Sequence, residues 1–308
     1  MLILIATAGR PDDLAATLRS ITDDATGGGV PIRVVENGPR AGAAEVCDSV
    51  RSDAGYHAIE YRHHAPAGKS VALNAGLADV PDDEFVVMFD DDVLVRPGTV
   101  AAYARAAERH PQGRFFGGPF EAAHEIPPPS WLRPFLPASA VGWWPDPETF
   151  DPAVHRFLGF NWAAKVGDLR DAGGFDPRFG PGGTTGAVGQ ESQMQLTLLR
   201  RGLRSCLVPD AVVSHRVPRQ RCDIDFALRR AYRHGVARGV RAASLPRGQQ
   251  RWRRFVYGTK LRFRDWQTRR FDGNVQDQRT LRIAFKRDRL AGWMDGIDHP
   301  AATDRRAA

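Results

Sequence analysis

The first 95 residues alternate between short apolar runs and segments with helical spacing. In the helical segments apolar residues recur every three or four positions, as at Leu14, Leu18 and Ile21. The strand-like runs are LILIAT, IRVVENG, AIEYRHH and EFVVMF, and the helical segments between them are RPDDLAATLRSIT, AGAAEVCDSVRSD and GKSVALNAGLADV. This alternation predicts a three-layer α/β fold with a Rossmann-like, mainly parallel sheet. In such sheets ligands bind beyond the carboxyl ends of the strands.

Three aspartates, Asp90, Asp91 and Asp92, directly follow the fourth apolar run. Adjacent like charges repel, and a carboxylate at a strand end loses hydration, so the cluster needs a compensating partner. On an extended chain the side chains of Asp90 and Asp92 leave the same face. Their oxygens are the ligands that Mg²⁺ and Mn²⁺ prefer. A capped turn accounts for the same residues without a metal, and the spacing alone leaves both interpretations open.

The later part of the chain changes character twice. The stretch FEAAHEIPPPSWLRPFLPASAVGWWPDPETFDP is rich in proline and tryptophan and predicts an ordered excursion rather than a disordered linker. After it come a strand, a helix in QESQMQLTLLRRG and two strands that end at His215, whereas the chain beyond Pro218 is dominated by arginine and predicted to be helical. We therefore expect a domain over 1–217, with halves 1–118 and 119–217, and a basic helical extension over 218–308.

Composition narrows the class of protein. The three cysteines, Cys47, Cys206 and Cys222, are too far apart for a zinc site or a disulfide framework, which indicates a reducing cytoplasm. No uncharged apolar segment reaches the roughly 18 residues of a membrane span, and the first residues are typical of a buried strand rather than a signal peptide. The net charge is +7 and is concentrated in the extension. Such asymmetry indicates an anionic partner or a solvated helix face.

Seven motifs in one order resemble the family 2 glycosyltransferases of the GT-A fold, over roughly residues 2–218. They are ATAGRP, VVENG, GKSVALNAGL, MFDDDVLVRPG, GFNWAAKVGDLRDAGGFDPRFG, GQESQMQLTLLRRG and VPDAVVSHRVP. The resemblance implies a GT-A fold and transfer of a sugar from a nucleotide diphosphate, with a UDP-sugar as the expected donor.

The resemblance also implies a donor site. Its expected residues are Thr7, Arg10, Glu36, Lys69, Asp90 and Asp91 for the nucleotide sugar, with Asn161 and Trp162 near the donor sugar or the acceptor. A divalent ion, Mn²⁺ or Mg²⁺, would be held by Asp92, Asp90 and His215 and would stabilise the leaving diphosphate. Three of these residues also have a structural explanation: Lys69 as an exposed helix-start lysine, His215 as a strand-end histidine, and Trp162 as a core residue.

The general base implied by the resemblance is Glu191. The family usually has an acidic pair at the start of this helix, and here the first position is Gln190. One carboxylate within hydrogen-bond reach is enough to take the proton of an acceptor hydroxyl, and direct attack inverts the anomeric carbon. The alternative for Glu191 is an acidic residue favoured by the dipole at a helix N-terminus.

Two further readings come from the Gln190 substitution and the basic extension. The first is a GT-A-fold binding protein that has lost catalysis and attaches to an anionic membrane surface or a glycan. The second is a peripheral membrane contact of an active enzyme at the inner face of the membrane, since basic and aromatic residues together suit an anionic bilayer. Nucleic-acid binding is not expected, because no recognition motif accompanies the arginines. The acceptor class stays open between a glycan, a lipid-linked acceptor and a small molecule.

Other enzyme classes fit less well. A dinucleotide-dependent dehydrogenase would carry a Gly-x-Gly-x-x-Gly turn after its first strand, and ATAGRPDD does not have one. The glycine-rich N-terminal loop of a sugar nucleotidyltransferase is also missing. A glycosidase needs two carboxylates that flank the bond, and the order of the motifs argues against it.

Overall fold

The computed structural model describes residues 1–23, 29–110, 112–271, 275 and 277–299 of the 308. The strands are β1 Leu2–Thr7, β2 Ile32–Asn37, β3 Ile59–His64, β4 Phe85–Asp90, β5 Val93–Val95, β6 Arg114–Gly117, β7 Phe120–His124, β8 Asn161–Lys165, β9 Arg204–Leu207 and β10 Val213–Val217. The helices are α1 Pro11–Thr22, α2 Ala43–Ala54, α3 Lys69–Leu77, α4 Thr99–Arg109, α5 Val166–Asp171, α6 Gln190–Arg200, α7 Ile224–Ala242, α8 Arg247–Thr268 and α9 Gln278–Gly296.

A seven-stranded sheet has the order β3-β2-β1-β4-β8-β6-β9. Neighbouring strands are parallel except around β8, which runs antiparallel to both β4 and β6. The register pairs Thr7 with Glu36 and Ala6 with Asp90. The predicted, mainly parallel sheet is therefore confirmed, and it aligns the carboxyl ends of β1, β2 and β4 at one edge.

The residues of β1 alternate between two hydrophobic cores. Ile3 and Ile5 belong to one core, whereas Leu2, Leu4 and Ala6 belong to the other. Helices α1, α2 and α4 contribute to the first core, and α3, α5 and α6 contribute to the second. Because both faces of the sheet are covered by helices, near-continuous apolar strands such as LILIAT are required, and the three-layer prediction is confirmed.

A smaller sheet continues from the aspartate cluster. Its order is β5-β10-β7, and the antiparallel pairing of β5 with β10 places Val93 opposite His215. His215, within the motif VPDAVVSHRVP, is thereby brought next to the aspartates, which lie more than a hundred residues earlier in the chain.

The described chain divides into two compact units. The first, called the sheet unit, comprises Met1–Ala123, Val141–Pro177 and Gln190–Arg216; the second, called the helical unit, comprises His124–Ala140, Arg178–Gly189 and Val217–Ala308. The units interleave along the chain, since two short segments group with the C-terminal helices. The predicted boundary near residue 217 stays a prediction.

Close packing of α7 on α9 organises the helical unit. A Cβ added at Gly235 would lie 2.2 Å from the carbonyl oxygen of Arg289, and one at Gly292 would lie 2.0 Å from that of Tyr232. Glycine at these positions lets the two helix backbones approach each other. The segment 178–189 also packs here, because Phe179 and Ala187 are buried against α7.

Helix α8 differs from its neighbours because Thr268 is its one buried residue. The prediction of a basic, helical C-terminal part is confirmed. Among the described residues, no helix has both the length and the apolar character needed to cross a bilayer.

Candidate active site

The Asp90–Asp92 cluster lies where β4 ends, and its three side chains have different surroundings. The Asp91 side chain is fully buried, that of Asp92 is 7% exposed and that of Asp90 is 21% exposed. The hydroxyl of Thr7, at the end of β1, donates a hydrogen bond of 2.6 Å to Asp91 Oδ2. Burial raises the pKa of Asp91 to about 6, although Arg10 and the Thr7 hydrogen bond act in the opposite direction. Asp91 therefore joins β4 to β1 from inside the protein.

Arg10 is the cation shared by Asp91 and Asp92. Its guanidinium forms an ion pair with Asp91, and its Nη1 lies 2.8 Å from Asp92 Oδ2. Arg10 stands at the residue before α1, so the first strand-to-helix turn delivers a positive charge to the aspartates. Burial alone would lower the pKa of Arg10, but the three aspartates raise it. The repulsion expected within the cluster is thus offset by a residue of the first motif.

His215 faces the other oxygen of Asp92. Its Nε2 lies 3.6 Å from Asp92 Oδ1, and its ring stacks on Phe160 with the centroids 4.5 Å apart. The residue is 3% exposed, so the stacked phenyl ring and the pairing of β10 with β5 fix the direction of the imidazole. The structure brings two of the three predicted metal ligands, Asp92 and His215, together, whereas the third, Asp90, is paired with Lys69.

Lys69 begins α3 and forms an ion pair with Asp90. Its side chain is only 12% exposed. The alternative in which Lys69 is simply an exposed lysine at the start of a helix therefore does not fit the structure. Burial alone would lower the pKa of Lys69, whereas the Asp90 carboxylate, followed by Glu191 and Asp92, raises it. Lys69 is therefore paired with the carboxylate at the end of β4 and lies in the electrostatic field of two more, from the turn after β4 and from the start of α6.

Glu191 lies in the first turn of α6 and is partly exposed. Its side chain passes Gly159, where an added Cβ would come within 3.1 Å of Glu191 Cγ and 3.2 Å of Oε2. The preceding Gln190 is 4% exposed. An uncharged amide costs less free energy to bury than a carboxylate. The buried position therefore suits Gln190 better than the acidic residue that the family usually has there.

The carboxylate of Glu36 is occupied by protein groups. It accepts a 2.7 Å hydrogen bond from the backbone amide of Ala41 and a 2.6 Å bond from the Tyr61 hydroxyl. With 1% of its surface exposed, Glu36 holds the turn that leads into α2. Its neighbour Asn37 donates to the Thr7 carbonyl at 2.8 Å and accepts from the Gly68 amide at 2.9 Å.

Asn161 and Trp162 are both 1% exposed. Asn161 accepts from the Tyr103 hydroxyl at 2.8 Å and donates to the carbonyls of Pro119 and Ala211 at 3.0 and 2.8 Å. Trp162 packs in the second core, edge-on to Phe175. These contacts support the interpretation of Trp162 as a core residue. The Asn161 side chain also has a structural role, because its hydrogen bonds join three segments of the chain.

Two residues that the sequence did not single out support the site. Gln195, on α6, accepts from the Phe157 amide at 2.7 Å and donates to the Phe157 carbonyl at 3.2 Å. Asn74, on α3, makes the same pair of bonds with Phe175, both at 2.8 Å. Each side chain forms two hydrogen bonds with the backbone of a loop that is distant in sequence. These bonds hold α6, which carries Glu191, and α3, which carries Lys69, in place. The sequence signal that could have identified Gln195 and Asn74 is an amide side chain on a helical face that is otherwise apolar.

The donor groups present fit a divalent cation that also binds phosphate. The described residues contain no group of three or more His, Cys, Asp or Glu side chains arranged to hold a metal on their own. Mg²⁺-type sites in phosphate-transfer enzymes, however, use one or two carboxylates, and the substrate and water supply the rest. The Asp92 oxygen and the His215 nitrogen, 3.6 Å apart, are close enough to share one ion. Carboxylate and imidazole are both accepted by Mn²⁺.

Comparison with known proteins decides the family. The sequence profile described as Glycosyl transferase family 2 matches residues 2–157, which is half of the chain. The chain belongs to glycosyl transferase family 2. The motif resemblance is therefore confirmed, and the chain is a glycosyltransferase by family. A search of curated proteins found no match.

Solved structures confirm that this family 2 chain has the fold of GT-A glycosyltransferases. The mannosyltransferase PcManGT from Pyrobaculum calidifontis, in complex with GDP-Man and Mn²⁺, matches with a TM-score of 0.59 at 17% identity, over 96% of this chain and 86% of that one. S. aureus TarS matches with a TM-score of 0.52 at 11% identity, over 81% of this chain and 41% of that one. TarS 1–349 in complex with UDP-GlcNAc matches with a TM-score of 0.52 at 10% identity, over 81% of this chain and 68% of that one. The chain thus spans less than half of the first TarS structure, and at these identities the likeness concerns the fold alone.

Proposed function

We propose that this glycosyltransferase moves a sugar from a nucleotide diphosphate donor to an acceptor hydroxyl, with Glu191 as the general base. The observation that carries the proposal is the ion pair of Lys69 with Asp90 at the end of β4. Against the effect of burial, the charges of Asp90, Glu191 and Asp92 raise the pKa of Lys69, so a cation for the donor diphosphate lies in the electrostatic field of the carboxylate proposed to take the acceptor proton. The family match and the structural neighbours, one holding GDP-Man and one UDP-GlcNAc, support a nucleotide sugar as the donor.

On the donor side, Lys69 and Arg10 are placed to contact the diphosphate. Asp90 and Asp92, with His215 beside Asp92, would hold Mn²⁺ or Mg²⁺ when the donor is bound. Such an ion supplies positive charge for the diphosphate as it leaves. Thr7 and Glu36 are engaged by protein groups at the ends of β1 and β2, so in this proposal they fix the loops around the nucleotide base and ribose. UDP is the nucleotide to be tested first, and GDP is the second.

On the acceptor side, Glu191 Oε1 or Oε2 accepts the proton of the hydroxyl as its oxygen attacks the anomeric carbon. The new C–O bond forms on the side opposite to the departing diphosphate, so the configuration is inverted. A partly exposed carboxylate at the start of α6 can be reached by an acceptor from solvent. Ser192, whose hydroxyl lies 3.4 Å from Glu191 Oε1, can orient the carboxylate.

The first experiment screens nucleotide sugars by thermal shift with and without Mn²⁺, because a ligand that binds the native state raises its apparent stability. We expect at least one donor to raise the Tm of the wild type only when Mn²⁺ is present. Asp92→Asn should lose that shift, whereas Glu191→Gln should keep it. A wild type that binds no nucleotide sugar would contradict the proposal.

The second experiment measures donor hydrolysis and sugar transfer with the donor found in the screen. Glu191→Gln should lower kcat by about 100-fold or more, the usual contribution of a general base. Glu108→Gln removes an exposed carboxylate on α4 and serves as the matched control. Equal activity of Glu191→Gln and the control would remove Glu191 as the base. Donor binding without any turnover by the wild type would favour the reading in which Gln190 marks a degenerate binding protein.

A peripheral membrane contact is a separate part of the proposal. The basic and aromatic residues from which the sequence predicted this contact lie in the helical unit, chiefly on α8. Acceptor identity does not depend on it, because a glycan, a lipid-linked acceptor or a small molecule could each reach Glu191.

A further inference from the structure

A cationic cavity lies between α7, α8 and α9 of the helical unit. Its volume is about 350 Å³, and its lining contains five basic residues and no acidic one. The five are Arg238 on α7, Lys260 and Arg264 on α8, and Lys286 and Arg289 on α9. Three separate helices thus direct positive charge at one space. Like charges held this close repel each other, and an anion in the cavity would relieve the repulsion.

Carboxylates of the protein do not neutralise this cavity. In the part of the chain that the structure describes, Arg238, Lys260, Lys286 and Arg289 form no ion pair with an Asp or Glu, whereas nearby Arg254 and Arg287 do. Burial and the neighbouring Arg238 guanidinium lower the pKa of Arg289. Asp298 and Asp288 of the helical unit pair with Arg254 and Arg287, which do not line the cavity, so these two carboxylates leave its positive charge available to a ligand.

The remaining lining is aromatic and aliphatic. Tyr257 and Phe263 of α8 and Trp293 and Leu290 of α9 complete the wall, and the rings of Tyr257 and Trp293 meet edge-on with centroids 4.5 Å apart. Cations above an apolar wall suit an anion that carries an apolar group.

The solvent face of α8 extends this wall along the helix. Trp252, Phe255, Phe263 and Trp266 are spaced by three, eight and three residues, which places them on one side of an α-helix. They are 65%, 74%, 52% and 48% exposed, respectively. We call these four residues the aromatic stripe. Phe263 belongs to both the stripe and the cavity, so the two features are continuous.

Basic residues border the stripe. Helix α8 carries seven basic residues and one acidic residue, and Arg269 and Arg270 follow it. An exposed apolar stripe edged by positive charge is the pattern of a helix that lies in the interface of an anionic bilayer. Tryptophan is also favoured at the level of lipid headgroups.

The ring geometry favours a bilayer over single-stranded nucleic acid. Base stacking needs free ring faces. In the stripe, the Arg270 guanidinium covers the Trp266 ring at 3.9 Å, and the Trp266 and Phe263 rings stack with centroids 5.8 Å apart. Insertion into a lipid surface needs only exposed apolar area, which these residues keep.

We propose that the helical unit docks on an anionic lipid bilayer, with the aromatic stripe in the headgroup region and a lipid phosphate in the cationic cavity. This inference does not depend on the proposed sugar transfer, because every residue it uses lies in the helical unit. The ligand chemistry is a phosphate monoester or diester attached to an acyl or prenyl chain.

The test uses the full chain in co-sedimentation with vesicles. The vesicles contain phosphatidylcholine alone, or phosphatidylcholine with phosphatidylglycerol or phosphatidic acid, at low and high salt. We expect binding to both anionic vesicles, with weaker binding at high salt, and little binding to the neutral ones. Inorganic pyrophosphate, added as a soluble competitor, should reduce the binding. Binding to pyrophosphate or to an oligonucleotide, but not to anionic vesicles, would overturn the proposal.

Two variants separate the cavity from the stripe. Each basic residue near an anionic surface contributes roughly fivefold in affinity, so the triple variant Arg238→Gln, Lys286→Gln, Arg289→Gln should bind roughly 100-fold more weakly. The triple variant Trp252→Ser, Phe255→Ser, Trp266→Ser should lose vesicle binding but keep binding to pyrophosphate. All six side chains are exposed, so both variants are expected to fold, and circular dichroism would verify it.

The matched control is Arg229→Gln, Arg233→Gln, Arg282→Gln. It removes three exposed basic residues from the same helices, α7 and α9, away from the cavity lining. We expect it to bind anionic vesicles less than tenfold more weakly than the wild type. Equal losses in the cavity variant and the control would show that only net charge matters and would overturn the cavity as a phosphate site.

Discussion

Gly159 leaves the space through which the side chain of Glu191 passes. A Cβ at residue 159 would lie 3.1 Å from Glu191 Cγ and 3.2 Å from Oε2, closer than ordinary van der Waals contact. The glycine comes from the loop before β8, and the glutamate comes from the first turn of α6. The position of the proposed base is therefore set by a residue without a side chain.

Gly159→Ala should displace the Glu191 carboxylate by a few tenths of an ångström and lower kcat, because small misplacements of catalytic groups are costly. We expect a loss of about 10-fold in transfer and little change in donor affinity. Steady-state kinetics with the donor from the thermal-shift screen measures both. An unchanged kcat would indicate that Glu191 moves freely in this space or is not the base.

Arg10→Gln should lower the Tm, since Asp91 and Asp92 would lose the cation that they share. We expect Mn²⁺ to restore part of the loss, because a divalent ion beside Asp92 would replace the missing charge. Arg19→Gln is the control, as Arg19 is 55% exposed and only 3.9 Å from Asp53. A Tm that Mn²⁺ raises no more in Arg10→Gln than in the control would speak against a metal at Asp92.

Asn161→Ala should reduce stability rather than donor binding alone. The substitution leaves the Tyr103 hydroxyl and the carbonyls of Pro119 and Ala211 without their buried partner. An unpaired buried polar group costs roughly 1–3 kcal/mol. Urea denaturation measures the free energy of unfolding. A variant of wild-type stability that loses donor binding would restore Asn161 as a donor-site residue.

Gly292→Ala should destabilise the helical unit, because the new methyl group would lie 2.0 Å from the Tyr232 carbonyl and push α7 away from α9. Gly258→Ala is the matched control on α8, where nothing lies within 4 Å of the added Cβ. That change should raise stability by about 0.5–1 kcal/mol, the usual gain when alanine replaces glycine inside a helix. Thermal unfolding of both variants followed by circular dichroism compares them, and a Gly292→Ala variant as stable as the control would refute the close approach.

Cys47 should resist thiol reagents in the native protein. It is fully buried in the first core, and burial raises its pKa to about 12. The reactive thiolate is therefore scarce at neutral pH, and reagents cannot reach it. Labelling with a chromogenic disulfide reagent, before and after denaturation, counts the accessible thiols. Labelling of Cys47 in the folded protein at the rate of a free thiol would contradict this placement.

The order of the strands along the first half of the chain was predictable from sequence. Runs such as LILIAT bury both faces, and their six-residue length and alternation with helical segments allow few folds other than a covered parallel sheet. The end of β4 at Asp90 was also predictable from sequence, because the residues change abruptly from apolar to acidic at that point. Motif order then predicted the family, which the profile match confirmed.

Tertiary structure decided what surrounds each charge. The sequence could not show that Arg10 bridges Asp91 and Asp92, or that Lys69 is buried against Asp90, since side-chain partners that lie some 20 to 80 residues apart depend on packing. It also could not distinguish Asp91, which is buried and bonded to Thr7, from the more exposed Asp90, because Asp91 lies in the turn after β4 and its partners come from a distant part of the chain.

In the helical extension, too, the sequence determined some features and the tertiary structure determined others. The sequence predicted that it would be basic and helical from its arginine-rich composition, which the structure bears out. Only the packing of α8 on its neighbours decided which of its residues face outward. That packing leaves the aromatic stripe exposed and gathers five cations around one cavity, since the buried side of a helix is chosen by its partners and not by its own sequence.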